Sequence, residues 1–186
     1  MKNIALVLMA IALVGAVAHA ADMPKQGQWG IQTSIGVASS PVLGSSTIGA
    51  KFMVSHNVAI RAEIGVTSVS PAGGGGSTTG FEIGAGFEYH LASAPGNVSP
   101  YLGLQAGFGG GSVSGGGSTP SRFGVNAVFG GEYFFSSNFS AAGEVGIGFS
   151  SLSNQPAPTV TDPTATGSTT RFGTGSAIFI LTWYMN

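Results

Sequence analysis

The side chains of this chain that could do chemistry are few. A serine, a histidine and a carboxylate in contact can hydrolyse an ester, because the histidine accepts the proton of the serine hydroxyl. Beyond the first twenty residues the histidines are His56 and His90, and His90 follows Glu88 by two positions. Neither histidine has a serine at a spacing that predicts such a set. No cysteine occurs either, so no thiolate metal site is expected. The sequence therefore predicts no catalytic residue, no cofactor and no metal site.

The remaining candidates are charged residues that alternate with apolar ones. In the segment Gly80-Phe81-Glu82-Ile83-Gly84-Ala85-Gly86-Phe87-Glu88-Tyr89, every second residue is apolar, and the others are glycine or glutamate. Successive side chains of a strand point to opposite faces, so one face is apolar and the other carries the charges. In every segment where the two faces can be told apart, the charged residues lie on the face opposite the apolar residues. If each charged residue fell on either face at random, this arrangement would arise about once in 250. The charged residues of these segments are Lys51, Arg61, Glu63, Glu82, Glu88, Arg122, Glu132, Glu144 and Arg171.

The elements that would position these charges are eight strands of about ten residues. They are predicted near residues 28–39, 47–55, 58–69, 80–91, 100–109, 121–134, 139–150 and 171–185. The connections between them are alternately short and long, as in an outer-membrane barrel with tight periplasmic turns and longer extracellular loops. The predicted fold is all-β, a closed eight-stranded antiparallel up-and-down transmembrane β-barrel.

Composition decides which face of these strands is inside. Only 7% of the residues are charged, against roughly 25% in ordinary soluble domains. A soluble, lipocalin-like barrel would place its apolar face inside. The charged face, however, also carries many of the 32 glycines, and glycine suits the narrow interior of an eight-stranded barrel. The charged face is therefore predicted to line the lumen. The net charge of −1 and the lack of a basic patch predict no nucleic-acid partner.

The chain begins with a predicted secretory signal peptide at residues 1–20, and residues 21–186 form the barrel domain. Lys2 precedes an apolar run, which ends in the small-residue cleavage site Ala18-His19-Ala20. A retained membrane helix is the alternative, but the run is short for a bilayer.

Aromatic residues near the strand ends predict a girdle on the short-turn, periplasmic side, because amphipathic rings favour the membrane–water interface. Its members are Trp29, Tyr89, Tyr101, Tyr133, Trp183 and Tyr184, although alternation turns Tyr101 away from lipid. Strand eight is apolar on both faces, so either a bulge or a partly apolar lumen is expected there.

Segments such as Pro100-Tyr101-Leu102-Gly103-Leu104-Gln105-Ala106-Gly107-Phe108-Gly109 and Gly130-Gly131-Glu132-Tyr133-Phe134 resemble the small outer-membrane β-barrel superfamily of the OmpA transmembrane domain and OmpX-like surface proteins. The resemblance implies a monomer in the outer membrane, exported by its signal peptide. The implied partners are outer-membrane lipids, lipopolysaccharide, the barrel-insertion machinery and periplasmic chaperones. One departure is the ending Trp183-Tyr184-Met185-Asn186, where that superfamily usually ends on Phe or Trp.

The expected function is structural or interactive: envelope integrity, adhesion or surface contact, through a ligand that the sequence does not identify. The predicted charges of both signs in a narrow lumen would pair and form a plug, because unpaired buried charges are costly. The runner-up is a narrow, low-conductance pore for ions or small solutes. A membrane-embedded, lipid-modifying enzyme comes third.

Overall fold

The computed structural model describes residues 24–38, 46–69, 77–91, 97–113, 119–155 and 167–185. The predicted signal peptide lies outside these ranges, as do most residues of the predicted long connections, part of the 92–99 connection, and residue 186. No helix in these ranges is long and apolar enough to cross a membrane.

Eight antiparallel strands close into one barrel, in which each strand pairs with its sequence neighbours and the last pairs with the first. The predicted fold is therefore confirmed. Closure leaves no strand edge, so neighbouring strands satisfy the backbone hydrogen-bonding groups. The strands are β1 (Trp29–Ala38), β2 (Ser46–Met53), β3 (Val58–Val69), β4 (Thr78–His90), β5 (Val98–Val113), β6 (Thr119–Ser136), β7 (Phe139–Gln155) and β8 (Gly167–Met185).

The two ends of the barrel differ in their connections. β2 and β3 are joined by residues 54–57, and β6 and β7 by Ser137 and Asn138. Trp29 at the start of β1 lies opposite Met185 at the end of β8, so both described termini of the barrel are at this same end, the short-turn end. The opposite rim, where the strands lead into the predicted long loops, is the long-loop end.

Strands β5 to β8 extend further at the long-loop end than predicted. They have 16, 18, 17 and 19 residues, whereas β1, β2 and β3 have 10, 8 and 12. The extra pairs, such as Ser151 with Thr170 and Thr119 with Gln155, join small or polar residues. No apolar alternation marks these residues, so the sequence pattern ends before the backbone pairing does.

The two faces of the wall are inverted relative to a soluble protein. Val66, Ile48 and Ile64 are 75%, 63% and 61% exposed, whereas the side chains of Lys51 and Arg61 are at most 4% exposed. The apolar face is therefore outside and the charged face inside, as predicted. This inversion excludes the lipocalin-like alternative.

Strand β8 has both features that its sequence allowed. Its register against β7 shifts between Gly146, opposite Ser176, and Ile147, opposite Thr174. One extra residue is thus accommodated in β8, which is a β-bulge. Beyond the bulge, Ile178 and Ile180 are buried inside the barrel, so the lumen is partly apolar there.

Candidate functional site in the barrel lumen

Six charged side chains from five strands meet inside the barrel and form the lumen network. Each is at most 4% exposed. Their positions follow from strand register, because Lys51 lies directly opposite Arg61 on the same inner face. The members are Lys51 on β2, Arg61 and Glu63 on β3, Glu88 on β4, Glu132 on β6 and Glu144 on β7.

Arg61 is the hub of the lumen network. Its Nη1 lies 2.8 Å from Glu88 Oε1, its Nη2 2.8 Å from Glu144 Oε2, and its Nε 3.4 Å from Glu63 Oε1. A planar guanidinium has donors in several fixed directions, so one arginine can bridge carboxylates from different walls. Gly86 makes room for it, since a Cβ there would lie 2.9 Å from Arg61 Nε.

Lys51 forms the second centre of the network. Its Nζ lies 2.6 Å from Glu88 Oε2 and 2.7 Å from Glu132 Oε2. The other oxygen of Glu132 accepts hydrogen bonds from Tyr184 Oη at 2.8 Å and Ser140 Oγ at 2.5 Å. Neutral donors thus satisfy the carboxylate oxygen that Lys51 does not reach, as a buried carboxylate requires.

The ion pairs cross the full width of the barrel. In a closed ring of eight strands, β2 lies opposite β6 and β3 lies opposite β7. The Lys51–Glu132 and Arg61–Glu144 pairs therefore each join opposite walls. Next to them, at the short-turn end, Met53, Ala59, Phe134 and Tyr184 form a buried apolar cluster.

His90 has a serine partner, contrary to the prediction from spacing. Its Nδ1 lies 2.9 Å from Ser99 Oγ, and its Nε2 lies 3.3 Å from Glu88 Oε2. The strand register brings Ser99 near, which no local motif reveals. All three side chains are at most 2% exposed, and a nucleophile needs its substrate within about 3–3.5 Å. The arrangement holds the imidazole in place and offers no access to a lipid ester.

Glu88, His90 and Glu132 also present ligand atoms that lie within 4.8 Å of one another, a donor set that suits zinc. The Lys51 ammonium, however, already lies against one oxygen of each glutamate. A metal ion at this point would have to displace a positive charge of the protein. Lys51 therefore takes the position that a metal ion would occupy.

The remaining charged residues of the lumen face lie apart from the network. Arg122 Nη2 is 2.7 Å from Glu82 Oε2 near the long-loop end, and the Arg122 side chain is 35% exposed. The pair borders a cavity of about 200 Å³, which Thr67, Gly80 and Ser121 also line. Arg171 lies opposite the buried Ser150 but is itself exposed, so it lies outside the buried lumen network.

The predicted aromatic girdle is only partly on the outer face. Trp29, Tyr89 and Trp183 are 46%, 46% and 59% exposed. Tyr133 is 9% exposed, and its ring centroid lies 4.8 Å from that of Phe135.

For Tyr101 and Tyr184 the girdle prediction is wrong, because both are fully buried in the lumen. Tyr101 Oη donates to Glu144 Oε2 at 3.1 Å, and Tyr184 Oη donates to Glu132. Alternation already turns Tyr101 away from lipid, whereas strand eight is apolar on both faces and its sequence does not determine the facing of Tyr184. Glycine at position 130 is required there, since a Cβ would collide with the Tyr101 ring.

Neutral polar residues of the inner face were not predicted as part of the site. Gln32 Nε2 donates to Glu63 Oε1 at 2.7 Å, and Gln105 Nε2 donates to Glu144 Oε1 at 2.6 Å. Both lie in the two-residue phase opposite the apolar residues of their strands, β1 and β5, which contain no charged residue. That phase could have identified them, although it could not have identified their partners.

These surfaces define the class of protein. An exterior of exposed Ile, Val, Leu and Phe side chains is stable only in lipid, and a closed barrel is the way for strands to lie there. The chain is therefore a transmembrane β-barrel of the outer membrane.

No protein-family model and no curated protein matches this sequence. Among solved structures, the chain is similar to outer membrane protein AlkL in lipid bilayers (16% identity, 92% of this chain and 96% of that chain, TM-score 0.49). It is also similar to OprG from Pseudomonas aeruginosa (12%, 88% and 98%, 0.47) and to Ail of Yersinia pestis (13%, 86% and 99%, 0.40). The barrel's own two faces, and not these distant similarities, define its class.

Proposed function

We propose that this barrel has a structural or surface-contact role in the outer membrane, with a lumen that the lumen network closes. The observation that carries the proposal is the pair of ion pairs, Lys51–Glu132 and Arg61–Glu144, that join opposite walls. Side chains that meet across the diameter leave little room for a solute. Eight-stranded barrels in general have interiors that side chains can fill.

Conductance in planar lipid bilayers tests the closed lumen. The wild-type protein should give no stepwise current, and the double variant Lys51→Ala/Arg61→Ala should give steps or irregular current because both crossings are lost. Arg122→Ala is the matched control and should stay silent, since Arg122 lies outside the network. Regular current steps from the wild-type protein would instead establish the narrow pore.

The surface-contact role is supported by the architecture, in which the described strands lead into the predicted long connections at one rim. The proposed surroundings are outer-membrane lipids and lipopolysaccharide, delivery by periplasmic chaperones and the insertion machinery, and a monomeric state. Cells with and without the protein should differ in detergent sensitivity or in attachment to surfaces. Equal behaviour in both assays would argue against this role.

A further inference from the structure

The lumen network contains more negative than positive charge. Glu63, Glu88, Glu132 and Glu144 face only two cations, Lys51 and Arg61. His90 contacts Glu88 and Glu132 and, when protonated, offsets one further charge. Arg122 is engaged with Glu82. Among the described residues, two cations are thus shared by four carboxylates, so even with a protonated His90 the network holds at least one excess negative charge in a region at most 4% exposed. Excess buried charge of this kind is strongly unfavourable.

Two glutamine amides indicate where the missing positive charge is held. A carboxylate can only accept hydrogen bonds, so the NH₂ groups of Gln32 and Gln105 must face Glu63 and Glu144. Their amide oxygens, Oε1, consequently point away, and both are buried without a hydrogen-bond partner among the described residues. Asn126, the register partner of Gln105, has no hydrogen-bond partner in that part of the chain for either its amide oxygen or its amide nitrogen.

We propose that these inward amide oxygens, with Glu63 and Glu144 behind them, bind a monovalent cation, Na⁺ or K⁺. Carbonyl-type oxygens are hard ligands that suit hard cations. A Ca²⁺ site would require direct carboxylate ligands, but the Glu144 oxygens already accept from Arg61, Gln105 and Tyr101. Neutral amide ligands with nearby excess negative charge fit a single positive charge.

The site extends beyond the proposed structural role and does not depend on it. A barrel that conducted ions in the bilayer assay could still bind the cation, and a silent barrel could lack it. The conductance experiment and the cation-binding experiment described next can therefore fail independently of each other.

Thermal unfolding of the folded protein in detergent tests the site. At constant ionic strength, choline serves as the reference cation, because its quaternary ammonium group is much larger than Na⁺ or K⁺. Replacing choline chloride with NaCl or KCl should raise Tm by roughly 3–6 °C for each tenfold rise in the free ion concentration above the Kd. Excess line broadening of ²³Na⁺ by the protein, reversed by added K⁺, should accompany the rise. Equal Tm values in choline, Na⁺ and K⁺ would overturn the proposal.

Glu63→Gln removes one negative charge while keeping the shape of the site. The amide oxygen of the new glutamine can still accept hydrogen bonds from Gln32 and Arg61. Its NH₂ group can donate to Thr47 Oγ1, which in the wild-type protein donates to the Glu63 carboxylate at 2.7 Å. This variant should lose most of the Na⁺-dependent rise in Tm. Glu82→Gln, the same change outside the network, should retain it. Full Na⁺ dependence in Glu63→Gln would contradict the site.

A second pair of variants tests the same site in case Glu63→Gln folds poorly. Gln32→Leu with Gln105→Leu removes the two amide oxygens and should abolish both the Tm rise and the ²³Na⁺ broadening. Gln26→Leu, at an exposed position, is the control and should keep both. Undiminished broadening in the double variant would overturn the assignment of these ligands.

Discussion

The two halves of the lumen are built differently although the same alternation produces both. In the half near the short-turn end, the inner face carries Arg61, Lys51 and the glutamates, all in contact. Towards the long-loop end, Gly84, Gly107 and Gly124 are register partners across three adjacent strands. The inner face has no side chain at those positions, and the next charged pair is Glu82–Arg122.

The direction in which a wall residue points and the extent to which side chains fill the lumen are separate properties of a barrel. Alternation decides which residues point inward, whereas the size of the inward residues decides whether the lumen is closed. The filled half replaces an apolar core with ion pairs, so its stability depends on every charge having a partner. The glycine-lined half contains a cavity and an ion pair in which Arg122 is 35% exposed and Glu82 is buried. Solvent can reach one partner of that pair, so changes there should cost less.

The sharpest test of this difference replaces an arginine in each half by methionine. Arg61→Met leaves Glu63, Glu88 and Glu144 without their shared cation, and breaking a buried ion pair in this way costs about 3–5 kcal/mol. Arg122→Met breaks a single pair whose arginine is 35% exposed and borders a cavity, so a smaller loss than for Arg61→Met is expected. Unfolding by urea in lipid vesicles measures both. Equal losses of unfolding free energy in the two variants would show that the two halves of the lumen do not differ in their dependence on ion pairs.

A second test adds a charge instead of removing one. Ile64 is 61% exposed on the outer face, and an arginine at the bilayer midplane costs about 2–4 kcal/mol. Thr67 lines the cavity near the long-loop end, where an added arginine can reach solvent. Ile64→Arg should therefore reduce the folded fraction in vesicles much more than Thr67→Arg, as measured by the mobility shift on boiling. Similar yields would refute the assigned facing.

The fold was predictable from the sequence because alternation is a local property. Seven of the eight strands show their apolar phase within about ten residues, whereas β8 is apolar on both faces. The same phase also assigned Glu88 and Arg122 to the inside. The strand ends at the long-loop rim were not predictable, because pairs such as Ser151 with Thr170 join polar residues that show no apolar alternation.

The contacts of the site were not predictable for a different reason. Lys51 and Glu132 are 81 residues apart in sequence, and Arg61 and Glu144 are 83 apart. Which inward residues meet depends on the register of every intervening strand pair, and a two-residue period does not determine register. The same limit concealed the Ser99–His90 contact and the amide partners of Glu63 and Glu144.

The smallest expected effect comes from adding one methyl group to an inward glycine in each half. A Cβ at Gly130 would collide with the Tyr101 ring, whereas a Cβ at Gly80 would lie 2.9 Å from the hydroxyl oxygen of Thr67, which can rotate away. Overpacking a filled interior costs about 1–3 kcal/mol, so Gly130→Ala should lower the urea midpoint. Gly80→Ala should change it little.

Gly131→Ala, next to Gly130 but with open space at the Cβ position, separates crowding from loss of backbone freedom, because only the crowding is specific to Gly130. If Gly130→Ala proved as stable as Gly131→Ala, Tyr101 would have room to move, and the short-turn half would be less tightly filled than its contacts imply.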